Sequence, residues 1–211
     1  MPDKQPIFIT GIGTGIGKTI VSAILVEKLK ADYWKPVQSG DLDNSDTMKV
    51  KSLVTNSTSI FHPESYRLTQ PYSPHKSAAL DGVTISLDDI HLPRTDNQLI
   101  IEGAGGLMVP LNNHQLMIDL IKKLNASVVL VSQNYLGSIN HTLLSIEALV
   151  NRNIPIEAIV FNGSPDEYTQ NIVKEYIPKE TALFNIPNLA TITRDEILRQ
   201  TSRLNRVIVH K

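Results

Sequence analysis

The chain has 211 residues, 41% of them hydrophobic and 19% charged, with a formal net charge of −1 and no cysteine. That length and mixture fit one globular domain with a sizeable core, and the balanced charge gives no support for a nucleic-acid or membrane-surface partner. The missing thiols exclude disulfides, thiolate metal sites, cysteine nucleophiles and iron–sulfur clusters.

Residues 1–5 are polar, and the apolar run behind them is too short for a signal peptide. No run approaches the ~18–20 apolar residues of a membrane helix, so the expected setting is the cytoplasm. Ile7-Phe8-Ile9 opens a short strand, apolar on both faces, over residues 7–10. It leads into Thr10-Gly11-Ile12-Gly13-Thr14-Gly15-Ile16-Gly17-Lys18-Thr19. A helix over residues 18–30 follows, with Val21, Ile24, Leu25 and Leu29 setting its apolar spacing and Lys28 interrupting it. Strand, glycine-rich turn, then Gly-Lys-Thr at a helix start is the layout of a phosphate cradle. Glycines let backbone N–H groups curl around phosphate oxygens, and the helix N-terminus adds its own free donors and positive dipole end. Lys18 would reach the β- and γ-phosphates, and the Thr19 hydroxyl a magnesium ion. The strict pattern has glycine six residues before the lysine, where this chain has Ile12. Gly11 stands one place earlier, so the loop is one residue longer than the standard one. The dinucleotide-binding alternative lacks its G-x-G-x-x-G spacing here and leaves Lys-Thr without a job.

A second strand over residues 32–35 stops at Pro36. Residues 37–45 read as a loop, and a helix over 46–54 has Ser45 as its N-cap. Pro63, Pro71 and Pro74 break residues 55–98, where short helices at 76–80 and 87–91 are expected; this stretch could form a flap over a site. A strand over 99–102 precedes a Gly103-Ala104-Gly105-Gly106 loop. The remaining pattern is a helix at 115–124, a strand at 128–132 and a helix at 138–151 with Leu143, Leu144, Ile146 and Leu149 facing the core. A strand at 156–162, a helix at 168–176, a strand at 182–184 and a helix at 194–203 complete it. This alternation argues for an α/β fold with a mainly parallel sheet covered on both faces, and the phosphate cradle after its first strand makes the expected arrangement a P-loop NTPase-type three-layer one. Ligands in such folds bind beyond the carboxyl ends of the strands.

The residues at those ends are therefore the candidates. Lys35 either faces the crevice with Lys18 or is a surface lysine stopped by a proline. Asp46 is either a first-turn acid favoured by the helix dipole or a magnesium ligand across from Thr19. Glu102 ends a buried strand beside the phosphate loop, where P-loop enzymes place a metal-binding acid. Hard-oxygen groups from Thr19, Asp46 and Glu102 would suffice for an ion that keeps several waters. Free N–H groups at the helix start Gly137-Ser138-Ile139-Asn140 could bind a carboxylate, or Ser138 could simply cap the helix. The six histidines, His210 among them, are too scattered for a zinc site.

Taken together, residues 10–19, Trp34-Lys35-Pro36-Val37-Gln38-Ser39-Gly40, Asn44-Ser45-Asp46, Ser73-Pro74-His75, Glu102-Gly103-Ala104-Gly105-Gly106, Gly137-Ser138-Ile139-Asn140-His141 and Asn162 resemble the dethiobiotin synthetase family over essentially the whole chain. The resemblance implies a cytoplasmic homodimer that uses ATP and magnesium to close a ureido ring on 7,8-diaminononanoate with carbon dioxide, by way of a carbamate and a carbamic-phosphoric anhydride. It implies that Lys35 and Lys18 are catalytic, with Lys35 at the carbamate and Ser39 beside the substrate. Thr14, Gly15, Ile16, Gly17, Lys18, Thr19 and Ile20 would wrap the phosphates. Thr19, Asp46 and Glu102 would hold the metal, and Gly103, Ala104 and Gly105 would border the nucleotide. Asn162, Gly163, Pro187, Asn188 and Leu189 would meet the adenine. Ser138, Ile139 and Asn140 would bind the substrate carboxylate in the partner subunit's site.

The chain departs from the family in three places. Gly13 and Gly15 stand where an acidic loop residue is often found. Pro93 falls where a longer helix is usual, and residues 185–188 match the adenine-contacting tail only loosely. Partitioning ATPases of the deviant P-loop type carry a further lysine five residues before the main one; here that place is Gly13. Cobyrinate-type amidating enzymes need a glutaminase cysteine that this chain does not have. A degenerate nucleotide-binding regulatory subunit would have little use for Lys18, Thr19, Lys35, Asp46 and Glu102 together.

Overall fold

The computed structural model describes residues 4–203; residues 1–3 and His210 lie outside the described residues. In chain order the elements begin β1 (Ile7–Gly11), α1 (Lys18–Leu29), β2 (Asp32–Trp34), β3 (Val37–Ser39), a 3-10 turn (Leu42–Asn44) and α2 (Asp46–Leu53). They continue β4 (Phe61–His62), β5 (Tyr66–Leu68), α3 (Pro74–Leu80), a second 3-10 turn (Leu87–Asp89), β6 (Leu99–Gly106) and α4 (Met117–Lys123). They end β7 (Ser127–Gln133), α5 (Ser138–Val150), β8 (Ile156–Asn162), α6 (Glu167–Lys174), β9 (Ala182–Ile186) and α7 (Arg194–Arg203).

Seven strands form one sheet in the order β4-β2-β6-β1-β7-β8-β9, and every neighbouring pair is parallel. The apolar runs of β1 and β7 are buried on both faces, as parallel strands between helices require. Ile7 and Ile9 of β1, with Val129 and Val131 of β7, pack among the side chains of α1, α2 and α7. Phe8, Val128 and Leu130 point the other way, among residues of α4, α5 and α6. The α/β three-layer reading therefore holds. α1 lies against the sheet with α2 and α7 on its outer flanks, which buries Val21 through Val26 without interruption.

Four readings of the sequence change. Residues 37–45 are not all loop: β3 pairs in parallel with β5 as a separate two-stranded sheet. The glycines after Glu102 are not a loop either, because β6 continues through them to Gly106. A register shift opposite Thr10 takes up the extra residues: Ile9 faces Glu102 but Gly11 faces Gly106. Residues 87–91 shorten to the single 3-10 turn at Leu87–Asp89. Leu144 is 55% exposed, while its neighbour Leu143 packs against the core. Adjacent helical residues diverge by about 100°, so both could not face inward.

One buried acid fastens the proline-broken stretch to the sheet edge. Asp32, fully buried at the start of β2, accepts hydrogen bonds from Ile60 N (2.9 Å), Thr95 Oγ1 (2.6 Å) and Asn97 Nδ2 (2.9 Å), and pairs with His62 Nε2 at 3.1 Å. Burial pushes its carboxyl upward, but the bonds from Thr95, Ile60, Asn97 and His62 outweigh this and hold it below the usual range. Asp32→Asn turns an amide N–H₂ toward donors and should cost about 2–4 kcal/mol, lowering Tm by roughly 5–10 °C at pH 7. A depressed folded pKa contributes stability above the unfolded value of about 3.9 and loses it as pH falls through the lower folded value. The Tm gap between wild type and variant should therefore narrow below pH 4. Thermal melts from pH 7 to pH 2.5 check this, and a gap independent of pH would contradict it.

Candidate functional site

The carboxyl ends of β1, β2, β6 and β8 open on one cleft of about 780 Å³. Its floor is the glycine loop. Gly17 caps α1 with φ +98°, a left-handed conformation that L side chains rarely adopt, and a Cβ there would sit 2.2 Å from Asn162 Nδ2. Asn162, at the end of β8, donates from that same Nδ2 to Ile16 O at 2.9 Å and so pins the loop from a strand two places away from β1 in the sheet. Gly17→Ala should strain the backbone and break this bond together. ATP affinity is expected to fall by at least roughly tenfold, the equivalent of ~1.4 kcal/mol, with a smaller loss of Tm. Calorimetric titration with ATP measures it, and unchanged affinity would show that the loop tolerates the side chain.

Lys18, buried at the start of α1, donates from Nζ to Gly13 O at 2.8 Å. Burial pulls its pKa down to about 8, partly countered by Glu102 and Asp46 and reinforced by Lys35. An anionic phosphate would favour the ammonium again.

The opposite wall carries the charges. Lys35, one residue beyond β2, is buried with its Nζ 2.9 Å from Asp46 Oδ2 and 3.4 Å from Glu102 Oε1. Burial alone would lower its pKa, but the two carboxylates outweigh that and raise it, so Lys35 is a fixed cation. Asp46 opens α2, where Ser45 caps the helix by accepting from Met48 N as its sequence position predicts. Burial raises the Asp46 carboxyl, and Lys35 beside it brings it below its ordinary value. Glu102 is 1% exposed. Its Oε1 accepts from Thr19 Oγ1 at 2.9 Å and its Oε2 from Tyr33 OH at 2.9 Å. Burial and the Glu102 charge together push the Tyr33 phenol well above its usual pKa. The loop lysine, the loop threonine, the strand-end lysine and both acids thus share one cleft, as anticipated. Lys35 is not a surface lysine.

Of the other predicted residues, Thr14, Gly15, Ile20, Ser39, Gly103, Ala104 and Gly105 line the same cleft. Gly103 lets β6 pass close to β1, since a Cβ there would lie 2.6 Å from Phe8 Cε1. The Ser39 hydroxyl is buried without a hydrogen-bond partner. Pairing of β8 with β9 brings Gly163 beside Pro187, Asn188 and Leu189: Gly163 N donates to Ile186 O at 2.8 Å, and Asn188 Nδ2 donates to Ser164 Oγ at 2.8 Å. Ser138, Ile139 and Asn140, at the start of α5, do not line the cleft of this chain. Ser138 is buried, while Ile139 and the preceding Leu136 are exposed.

Some lining residues were assigned no role from sequence. Pro71, Tyr72, Ser73 and Pro74 form a rim, so part of the proline-broken stretch does border the site. Gln38 accepts from Asp46 N at 3.3 Å and donates to Gly40 O at 2.9 Å, tying β3 to the start of α2. Its place three residues after Lys35 was the available signal. A separate groove of about 530 Å³, between α3 and the Leu111–Gln115 turn, contains none of the predicted site residues.

Comparison with known proteins bears on what occupies this cleft. The AAA domain family matches residues 5–199 of the chain. An ATP-dependent dethiobiotin synthetase of Christiangramia forsetii is 55% identical, with 80% of this chain and 81% of that protein aligned. That of Cytophaga hutchinsonii is 47% identical over 93% of this chain and 95% of its own. That of Chlamydia pneumoniae is 43% identical over 93% and 85%. A ParA family ATPase from Chlorobium tepidum TLS has a similar structure, with TM-score 0.56 at 14% identity, covering 95% of this chain and 92% of that one. At that identity the likeness is one of fold alone.

Proposed function

We infer how the cleft works from one premise: the chain belongs to the ATP-dependent dethiobiotin synthetase family. The reaction is ATP-dependent closure of a ureido ring on 7,8-diaminononanoate with carbon dioxide, giving dethiobiotin, ADP and phosphate in biotin biosynthesis. One amine adds to carbon dioxide and loses a proton to give a carbamate. A carbamate oxygen attacks the γ-phosphorus and ADP leaves. The second amine then attacks the carbonyl carbon of the carbamic-phosphoric anhydride, and phosphate leaves as the ring closes.

The observation that carries this reading is the Lys35 ammonium, buried and held 2.9 Å from Asp46 and 3.4 Å from Glu102, opposite a phosphate loop with its own lysine. A carbamate approaching a triphosphate brings like charges together. Two lysines, one at the end of β2 and one at the start of α1, oppose that repulsion as charge builds on the transferring phosphoryl group. Lys35 takes the carbamate side and Lys18 the phosphates. Gly15 to Ile20, with Thr14, supply backbone and hydroxyl donors around the triphosphate. The unpartnered Ser39 hydroxyl faces the diamine, and Gly103 to Gly105 border the nucleotide. Asn162, Gly163 and residues 187–189 form the adenine edge, with Asn162 also bracing the loop. No protein nucleophile is needed.

The donor set fits magnesium. Thr19 Oγ1 and Glu102 Oε1 lie 2.9 Å apart, and Asp46 adds a second carboxylate on the far side of Lys35. One hydroxyl and two carboxylates suit a metal held by few protein oxygens together with phosphates and water. When bound, it would supply charge neutralisation at the β- and γ-phosphates.

A homodimer completes the reading. Leu136 and Ile139 stand exposed at the start of α5, where Gly137 is the N-cap and no side chain caps the helix, and across an interface this helix start would receive the substrate carboxylate of the other subunit. The balanced charge and the expected cytoplasmic setting fit small-molecule substrates and neither nucleic acid nor membrane; among the described residues no helix is long and apolar enough to cross one.

The test is phosphate release from magnesium ATP with and without 7,8-diaminononanoate and bicarbonate, with product identified by mass. Release only with the diamine, in step with a ureido product, is expected. Release indifferent to the diamine would overturn the reading.

A further inference from the structure

Tyr33 lies in the middle of β2. The β2–β6 register places it opposite Ile100. Glu102 is two residues further along β6, on the same face because strand side chains alternate. Two residues span about 6.6 Å, the reach of a tyrosine side chain lying along its neighbour strand. The ring is fully buried, tilted against Phe61 of β4 with centroids 5.9 Å apart, and its hydroxyl donates to Glu102 Oε2 at 2.9 Å.

The two oxygens of Glu102 are therefore used differently. Oε2 is committed to Tyr33 in the interior, while Oε1 meets Thr19 and Lys35. A carboxylate 1% exposed has no water to hold its orientation, so a protein donor must. We propose that Tyr33 is a positioning residue for the reaction, locking the Glu102 carboxylate so that Oε1 alone faces the cleft. This rests on the reading of Glu102 as a metal ligand. Tyr33 touches neither substrate nor metal and acts only through Glu102. Without its hydroxyl, Oε2 is a buried anionic oxygen lacking its donor, and the carboxylate can turn to offer both oxygens to Lys35, away from Thr19.

The experiment titrates Mn²⁺, followed by its electron paramagnetic resonance, into the full chain saturated with a non-hydrolysable ATP analogue. Wild type, Tyr33→Phe, Glu102→Gln and the double variant are compared. Outer-shell partners of a metal ligand typically set affinity by roughly 10–100-fold. Tyr33→Phe is expected to weaken Mn²⁺ by that factor and to raise the metal KM, leaving kcat at saturating metal and metal-free analogue affinity near wild type. In the Glu102→Gln background the Tyr33 substitution should add nothing, since residues acting through one group are not additive. Phe61→Leu, which disturbs the ring but keeps the hydroxyl, should lower Tm without the metal effect.

Weaker binding in Glu102→Gln but unchanged binding in Tyr33→Phe would overturn the positioning role alone. Unchanged binding in both would overturn the metal-ligand reading and this inference with it. Should Tyr33→Phe not fold, the buried Tyr33 hydroxyl proton of the wild-type protein is followed by NMR. It is expected to shift when Mg²⁺ is added to the nucleotide complex, and a resonance that stays in place would overturn the proposal.

Discussion

Lys35→Ala should lower kcat by about a hundredfold or more while leaving ATP affinity nearly unchanged, the loss expected on removing one strong electrostatic stabiliser from a preorganised site. The two effects separate because Lys35 lies outside the phosphate loop: Lys18, the loop backbone and the start of α1 remain in place. The structure adds a second consequence. Lys35 neutralises two acids, Asp46 at 2.9 Å and Glu102 at 3.4 Å, the second of them fully buried. Removing one member of a buried ion cluster leaves uncompensated charge and costs about 3–5 kcal/mol. The ligand-free variant should therefore melt roughly 10 °C lower. Because ATP affinity is nearly unchanged, magnesium ATP should raise the melting point of both proteins by a similar amount and leave that difference in place. Lys35→Met, which refills the volume, should recover packing but not turnover. Steady-state kinetics with melts in each ligand state separate these effects. Turnover within about threefold of wild type in a folded variant, far short of the loss expected for such a stabiliser, would remove Lys35 from the mechanism.

The parts of the site legible in sequence are those where local chemistry and global fold agree. Ile7 to Thr19 combines an apolar strand, turn glycines and a helix start, and each demands the next. Ser45 before Asp46 announced a helix that begins where the N-cap chemistry places it. The illegible parts depend on distant partners. Val37-Gln38-Ser39 is too short to show a period, and its partner strand at Tyr66–Leu68 lies beyond three further elements. Gly103 to Gly106 argue against a strand on propensity, yet pairing with β1 carries β6 through them, and a Cβ at Gly103 or Gly106 would crowd Phe8 or the β1 backbone. Asp32 falls at the start of the strand expected over 32–35, and only the fold shows it gathering residues from both ends of the proline-broken segment. Tyr33 is the sharpest instance. Nothing in a strand residue's type reveals that its hydroxyl meets an acid 69 positions away.

Glu102→Gln tests the opposite charge at the same place. The amide is nearly isosteric and can still accept from Tyr33 through its oxygen, so β6 and its packing should survive. What changes is the group presented to Thr19 and Lys35, which becomes an uncharged N–H₂ donor facing a cation. Magnesium prefers hard anionic oxygen, and the variant offers an amide where the wild-type chain has a carboxylate. The gain in ATP affinity conferred by magnesium should fall by roughly a hundredfold, or ~2.8 kcal/mol. Affinity for metal-free ATP should stay level or rise, because a negative charge near the triphosphate has been removed. Those opposite signs distinguish a metal ligand from a residue that merely supports the cleft, whose loss would weaken both forms of the nucleotide alike. Calorimetric titrations with ATP in magnesium and in EDTA give the two affinities directly. A variant that retains the full magnesium-dependent gain would exclude Glu102 from the metal site, leaving its carboxylate as the counter-ion that keeps Lys35 charged and in place.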